Sequence, residues 1–173
     1  MIIETPRTIL RCWSENDREP FAAMNADPDV MADLGGPIGR RESDAKLDRY
    51  KAAFDANGIS RWVIESKAGE FLGYAGVLLH ADHVIGAHAD IGWRLVRSAW
   101  GDGIATEAAS AALDDAFARA KLSEVLAYTA PDNLRSQAVM ARLHMTRDPS
   151  RDFTATYPGK GEWRGLVWMA RGA

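Results

Sequence analysis

The sequence predicts an α/β (α+β) fold, a mixed and mostly antiparallel central sheet of six to seven strands with helices on both faces. Three observations carry that expectation. Residues 61–96 hold three strand-like apolar runs separated by turn signals; residues 90–120 read strand, glycine loop, helix; and two amphipathic helical patterns lie upstream of the sheet.

Thr8 to Trp13 (T-I-L-R-C-W) reads as a first strand, and Ser14, with Asp17 three residues on, is a plausible N-cap for a helix carrying Phe21, Ala22 and Met24. Asn25 to Pro28 breaks that helix, a short turn covers Asp29 to Leu34, and Gly35-Gly-Pro37 is the most flexible point of the first half. Ser43 or Glu42 opens a second helix with Ala45, Leu47, Tyr50, Ala53 and Phe54, closed by Asn57-Gly58. Arg61 to Glu65 and Phe71 to Leu79 flank a hairpin turn at Lys67 to Glu70. His80 to Ala89 is a loop with three of the four histidines, and Asp90 to Val96 completes an antiparallel meander. Ser123 to Thr129 follows a helical crossover, so it is expected to run parallel to 90–96. A helix with Ala138, Val139, Ala141 and Leu143 follows the turn at Ala130 to Asn133, and a hairpin-like region runs from Thr146 to Met169. No repeat or linker interrupts the pattern, so residues 1–173 are expected to form a single domain.

Composition narrows the function classes. At 47% hydrophobic and 26% charged the chain has ordinary globular usage, large enough to bury a core. A net charge of −3 without a dense Lys/Arg run argues against nucleic acid as a partner. Cys12 is the single cysteine, which excludes an internal disulfide or a multi-cysteine metal site and fits a reducing compartment. No signal-like N-terminus or membrane-length apolar run is present, so a cytoplasmic, membrane-free location is expected.

The chemistry-bearing stretch is Asp90 to Ala120. A strand leads into Gly101 and Gly103, and a helix follows with Ala105, Ala109, Leu113 and Phe117 on one stripe beside Ala108, Ala112 and Ala116. Glycines let a backbone approach a ligand closely, and the unpaired N–H groups and positive dipole end of a helix favour an anion. Plain turn chemistry produces the same local pattern. Two phosphate loops are excluded: Ile104 and Ala105 stand where a Walker loop needs Lys and Ser/Thr, and Thr106 stands where a dinucleotide fingerprint needs its third glycine.

The order of strand, W-G-D-G-I-A-T-E-A loop and helix, strand, then Asn133-x-x-Ser136 opening a helix, resembles the GCN5-related N-acetyltransferase (GNAT) superfamily, within it the RimJ/RimL-like branch. The likeness extends to the opening T-P-R-T-I-L-R-C-W, the W-V-I-E to F-L-G-Y-A-G hairpin, D-I-G-W-R-L, and L-H-M-T-R-D-P. It implies the GNAT fold, with a splayed strand pair forming the acetyl-CoA slot, and transfer of acetyl to a primary amine, on a small molecule or a protein N-terminus. By motif match, the backbone of Trp100, Gly101, Asp102, Gly103, Ile104 and Ala105 would hold the pyrophosphate. Backbone at Arg94, Leu95 and Val96 would pair with pantetheine, and Asn133 would bond the same arm. Two departures stand out. Leu143-His144-Met145 replaces a segment that usually carries glycine, so a different backbone is expected there, and Arg97-Ser98-Ala99 lacks a proline common in relatives.

Acetyl transfer by direct attack needs a neutral amine, stabilisation of an oxyanion and a proton for the leaving thiolate. The resemblance implies Ser136 for the thiolate and Asp90 as the base; Tyr128 is a further thiol-side candidate, and Glu65, His80, His83 and His88 are rivals for the base. Backbone N–H near Leu95 is expected at the oxyanion. The histidines are irregularly spaced, and no metal is expected. Acceptor walls are expected from the first helices, the Gly35 to Pro37 bend, the histidine loop and the final hairpin, with Trp62, Trp93, Tyr157 and Trp163 contributing. A non-catalytic acyl-CoA-binding or sensing module remains compatible with the same residues. Monomer and homodimer are both open.

Overall fold

A computed structural model describes residues 1–157 and 161–172, the side chain of Tyr157 excepted. In chain order the elements are β1 (Ile2–Glu4), β2 (Thr8–Arg11), α1 (Arg18–Ala26), α2 (Pro28–Met31), α3 (Arg40–Asn57), β3 (Arg61–Ser66), β4 (Phe71–His80), β5 (His88–Leu95), α4 (Ile104–Ala118), β6 (Glu124–Thr129), α5 (Leu134–Arg142), β7 (Thr146–Arg147), β8 (Phe153–Tyr157) and β9 (Gly161–Arg171). The sheet order is β1-β2-β3-β4-β5-β6-β9-β7, with β8 paired to β9. All neighbours are antiparallel except β5 and β6, which are parallel as the helical crossover requires. Among the described residues there are nine strands against the expected six to seven, because the additions are short or local. β1 pairs only three residues with β2, β7 pairs two with β9, and β8 doubles back on the first half of β9.

Three helical boundaries differ from expectation. α3 starts at Arg40 behind a Gly39 N-cap, one turn before Ser43, whose side chain is buried and accepts a hydrogen bond from Asn25 Nδ2 at 2.8 Å. The turn at 29–34 is α2 followed by a 3₁₀ turn, nucleated by Asp27, whose Oδ1 accepts from the N–H of Asp29 and Val30. Helix α1 is entered through a 3₁₀ turn at Glu15–Asp17, where Asp17 closes a capping box with Ser14.

The sheet is covered on both faces, and strand pleating decides which residues meet which layer. On one face α4 lays Ala108, Ala109, Ala112 and Ala116, all at 0–1% exposure, against Trp62, Ile64, Ala75, Val77 and Ile91. Small side chains bring that helix close to the sheet. Beside it α5 contributes Met140. On the other face α1, α2 and α3 bury Phe21, Met24, Met31, Leu47 and Tyr50 against Val63 and Tyr74. A third, smaller cluster on this second face joins Leu126, Phe153 and Val167, with Tyr128 and Trp163 packed on it.

The end of α5 corrects one expectation. His144 takes the left-handed conformation, φ 55°, that the family's glycine would take. Its N–H donates to the Ala141 carbonyl at 3.0 Å and that of Met145 to the Met140 carbonyl at 3.1 Å, so the paired helix-end motif forms without glycine. Burial of Met145 offsets the local strain of about 1 kcal/mol.

Candidate active site

Strands β5 and β6 share one register pair, Asp90 with Leu126, and beyond it towards Leu95 and Thr129 no pair is in register. The strands therefore part after their first residues. Val96 N–H donates to the Leu72 carbonyl on the β4 side, so the alternating backbone turns the N–H and C=O of Trp93 and Leu95 towards β6. The Leu95 carbonyl accepts from Trp100 Nε1 at 3.0 Å, which leaves the Leu95 N–H as a donor facing the opening. Val96 is engaged at both ends, since its carbonyl accepts from Ala99 N–H at 3.0 Å. The pairing edge expected over Arg94 to Val96 thus narrows to Leu95 and Trp93.

At the end of β5 the chain makes a 3₁₀ turn at Arg97–Ala99 and enters the loop through Trp100. Gly101 and Gly103 sit at φ 87° and 78°, in the left-handed region that side chains avoid, and Gly103 caps α4 without any side-chain hydrogen bond. The first-turn N–H groups of α4 are consequently open to a ligand. Arg7 braces this loop: its Nη1 donates to the Asp102 carbonyl at 2.6 Å and its Nε to Glu107 Oε2 at 2.6 Å. Thr5 Oγ1 also donates to Glu107, at 2.6 Å. Arg7 and Glu107 are functional candidates that sequence reading missed, because a contact spanning a hundred residues leaves no local signal.

The opposite wall comes from the start of α5. Asn133 caps the helix, its Oδ1 accepting from Ser136 N–H at 3.1 Å, while its Nδ2 donates to Asp33 Oδ2 at 3.1 Å. Asp33 in turn accepts from Arg94 Nη1 at 2.8 Å. Ser136 Oγ makes no hydrogen bond among the described residues, so its hydroxyl is uncommitted. The Arg135 guanidinium stacks over the Trp100 ring, 4.1 Å from its centroid, joining α5 to the glycine loop.

Asp90 lies differently from a base. Its carboxylate is buried and accepts from Arg61 Nη2 at 3.0 and 2.8 Å and from His80 Nε2 at 2.6 Å. Burial pushes this carboxyl up, but Arg61 and His80 outweigh it and hold it below the usual range, which makes it a weak proton acceptor. Arg61 is also buried, and its Nη1 donates to the Asp90 and Gly76 carbonyls. Gly92 is required by this packing, since a Cβ there would stand 2.9 Å from the Arg61 guanidinium. The β4–β5 register brings Asp90 to His80 as its acidic partner.

Asp90, Gly92 and Arg94 form a polar column on the second face, between the α1–α3 cluster and the Leu126–Phe153–Val167 cluster. That column, partly exposed at Gly92, Arg94 and the neighbouring His80, marks the candidate cleft. His80, His83 and His88 line it beside Tyr128: His80 stacks on His88 at 5.0 Å and His83 on Tyr128 at 5.5 Å. Trp163 packs there on Tyr128 and Phe153. Trp62 and Trp93 do not, because pleat parity sends both to the α4 face, Trp62 fully buried against Phe54. The Tyr157 side chain lies outside the described residues. Glu65 is held by Arg11 at 2.6 Å and Cys12 packs on the α4-side core, both away from the cleft. A separate cavity of about 480 Å³ between α4, the end of α5 and β9 contains none of these site residues. No helix among the described residues is long and apolar enough to cross a membrane, and no group of three or more His, Cys, Asp or Glu there could hold a metal ion.

Beneath the cleft, Tyr74 and Tyr50 form a buried pair. Burial pushes the Tyr74 phenol up, but Lys46, Arg94 and Arg61, with a hydrogen bond from Tyr50, bring it down to about 7; burial and that neighbour raise Tyr50. A folded pKa depressed below the unfolded value of about 10 adds stability that is complete above pH 10 and lost as pH falls through about 7. Tyrosinate absorbance in the folded protein should accordingly rise with a midpoint near 7, and this step should vanish in Tyr74→Phe.

Comparison with known proteins agrees with this geometry. The family model described as an acetyltransferase (GNAT) domain matches residues 7–146, so the chain belongs to the GNAT acetyltransferase family. It is 32% identical over 146 residues to the uncharacterized protein YkkB of Bacillus subtilis, covering 82% of this chain and 83% of that one. Among solved structures, an acetyltransferase from Agrobacterium tumefaciens superposes with a TM-score of 0.82 at 26% identity, over 99% of this chain and 94% of that one. RimL, a ribosomal L7/L12 α-N-protein acetyltransferase in complex with coenzyme A, shares the fold with a TM-score of 0.78 at 16% identity, over 99% and 98% of the two chains.

Proposed function

We propose that the chain is an acetyl-CoA-dependent N-acetyltransferase of the RimJ/RimL-like branch, a single domain that acetylates a primary amine by direct attack. The observation that carries this reading is the parting of β5 from β6 between two prepared ends, the open first turn of α4 and the unbonded Ser136 hydroxyl. These groups fit a coenzyme A thioester. Backbone N–H groups from Gly101 to Ala105 would hold its pyrophosphate, with Trp100 ordering the approach and Arg7 bracing the loop. Leu95 N–H and the Trp93 edge would pair with the pantetheine amides, and Asn133 would join them on exchanging its Asp33 contact. The bound thioester supplies the activated acetyl group. Ser136 Oγ would donate to the leaving sulfur, and the reading is supported by RimL, which shares the fold and is known in complex with coenzyme A. Asp102 has an acidic side chain but would act through its backbone.

Thiol release from acetyl-CoA over a panel of amines, covering polyamines, amino acids and peptides with free N-termini, tests the reading. Acetyl-CoA binding with no release on any of these amines would leave a sensing module as the function.

A further inference from the structure

We propose that His80 is the catalytic base, taking the proton of the acceptor ammonium on Nδ1, and that Asp90, bound to the opposite ring nitrogen, positions it. This rests on the acetyltransferase reading above.

His80 ends β4 on the same face as Asp90, Gly92 and Arg94, in the cleft between the two hydrophobic clusters of that face, and its side chain keeps 29% exposure. Asp90 is an ionised carboxylate clamped by Arg61, so it can only accept at the 2.6 Å contact, and His80 Nε2 must carry the hydrogen. A neutral His80 ring then presents Nδ1 as a lone pair. The groups facing it are Asp90 and His88 on β5, His83 in the loop, and Arg61 from β3 behind Asp90. Asp90 itself cannot serve, being buried, doubly engaged and acidic.

His88, stacked on His80, is held in place by the loop. His88 Nδ1 donates to the Gly86 carbonyl at 2.9 Å, which leaves Nε2 as an acceptor, and that nitrogen is shut off from solvent with no partner among the described residues. Proton balance is then complete. His80 Nδ1 takes one proton from R–NH₃⁺, freeing the nitrogen pair that forms the C–N bond. The C–S bond breaks with its electron pair on sulfur, which receives the second nitrogen proton by way of the Ser136 hydroxyl. His80 returns its proton to water.

Two readouts test the assignment. Long-range ¹H–¹⁵N NMR of the wild-type protein, which needs no variant and no turnover, should show neutral His80 as the Nε2–H tautomer; an Nδ1–H tautomer overturns the proposal. In His80→Gln, kcat should fall about 100-fold or more with acetyl-CoA affinity unchanged by calorimetry. Added imidazole should partly restore the activity of the variant. Wild-type kcat in His80→Gln would refute the base while leaving the transferase reading standing. A wild-type protein that binds acetyl-CoA but acetylates no amine overturns both.

Discussion

Asp90→Ala should destabilise the protein by about 3–5 kcal/mol, the largest loss expected from any single change in the cleft. Asp90 and Arg61 are each 6–7% exposed and paired through two hydrogen bonds, so removing the carboxylate strands a guanidinium that water cannot reach. The carbonyls of Gly76 and Asp90 still accept from it, which limits the loss but cannot neutralise the charge. Urea unfolding measures the effect. Arg61→Met combined with Asp90→Leu should recover much of it, because an apolar pair of similar size avoids the desolvation. The sign with pH follows from the depressed Asp90 carboxyl: its contribution is present above the unfolded value of about 3.9 and is lost as pH falls through the lower folded value. Acid should therefore unfold the wild type more steeply than the double variant. An Asp90→Ala protein as stable as wild type would show that Arg61 finds another partner.

Gly103→Val should abolish measurable acetyl-CoA binding while leaving most of the fold intact. At φ 78° a β-branched residue costs of order 1–3 kcal/mol, and relieving that strain would turn the Gly103 peptide away from the ligand. The nearest atom to an added Cβ is Arg7 Nη2 at 3.6 Å, so no packing clash confounds the result. What changes is the direction of the N–H groups at the start of α4. Affinity should fall about 100-fold or more, of which strain accounts for part and lost N–H contacts for the rest. Wild-type affinity would mean that the loop does not hold the donor.

Legibility in the sequence follows the range of the interactions. The strand, glycine loop and helix of 90–120 could be read because turn chemistry and helical periodicity are local, and the parallel β6 followed from the handedness of a crossover. Asn133 could likewise be read as an N-cap. The cleft could not. His80 meets Asp90 only through the β4–β5 register, which sets Leu78 opposite Asp90, and Arg7 meets Glu107 only when β2 and α4 pack. Trp62 and Trp93 were misassigned to the acceptor walls because aromatic character is visible in a sequence while pleat parity relative to a face is not. His144 shows the reverse case, a residue whose propensity argued against a left-handed turn that tertiary packing imposes.

Isothermal calorimetry of the intact chain with acetyl-CoA tests the central claim most directly. The geometry predicts saturable one-to-one binding with Kd well below about 1 mM, weakened by Gly103→Val; no heat of binding up to that concentration would contradict it.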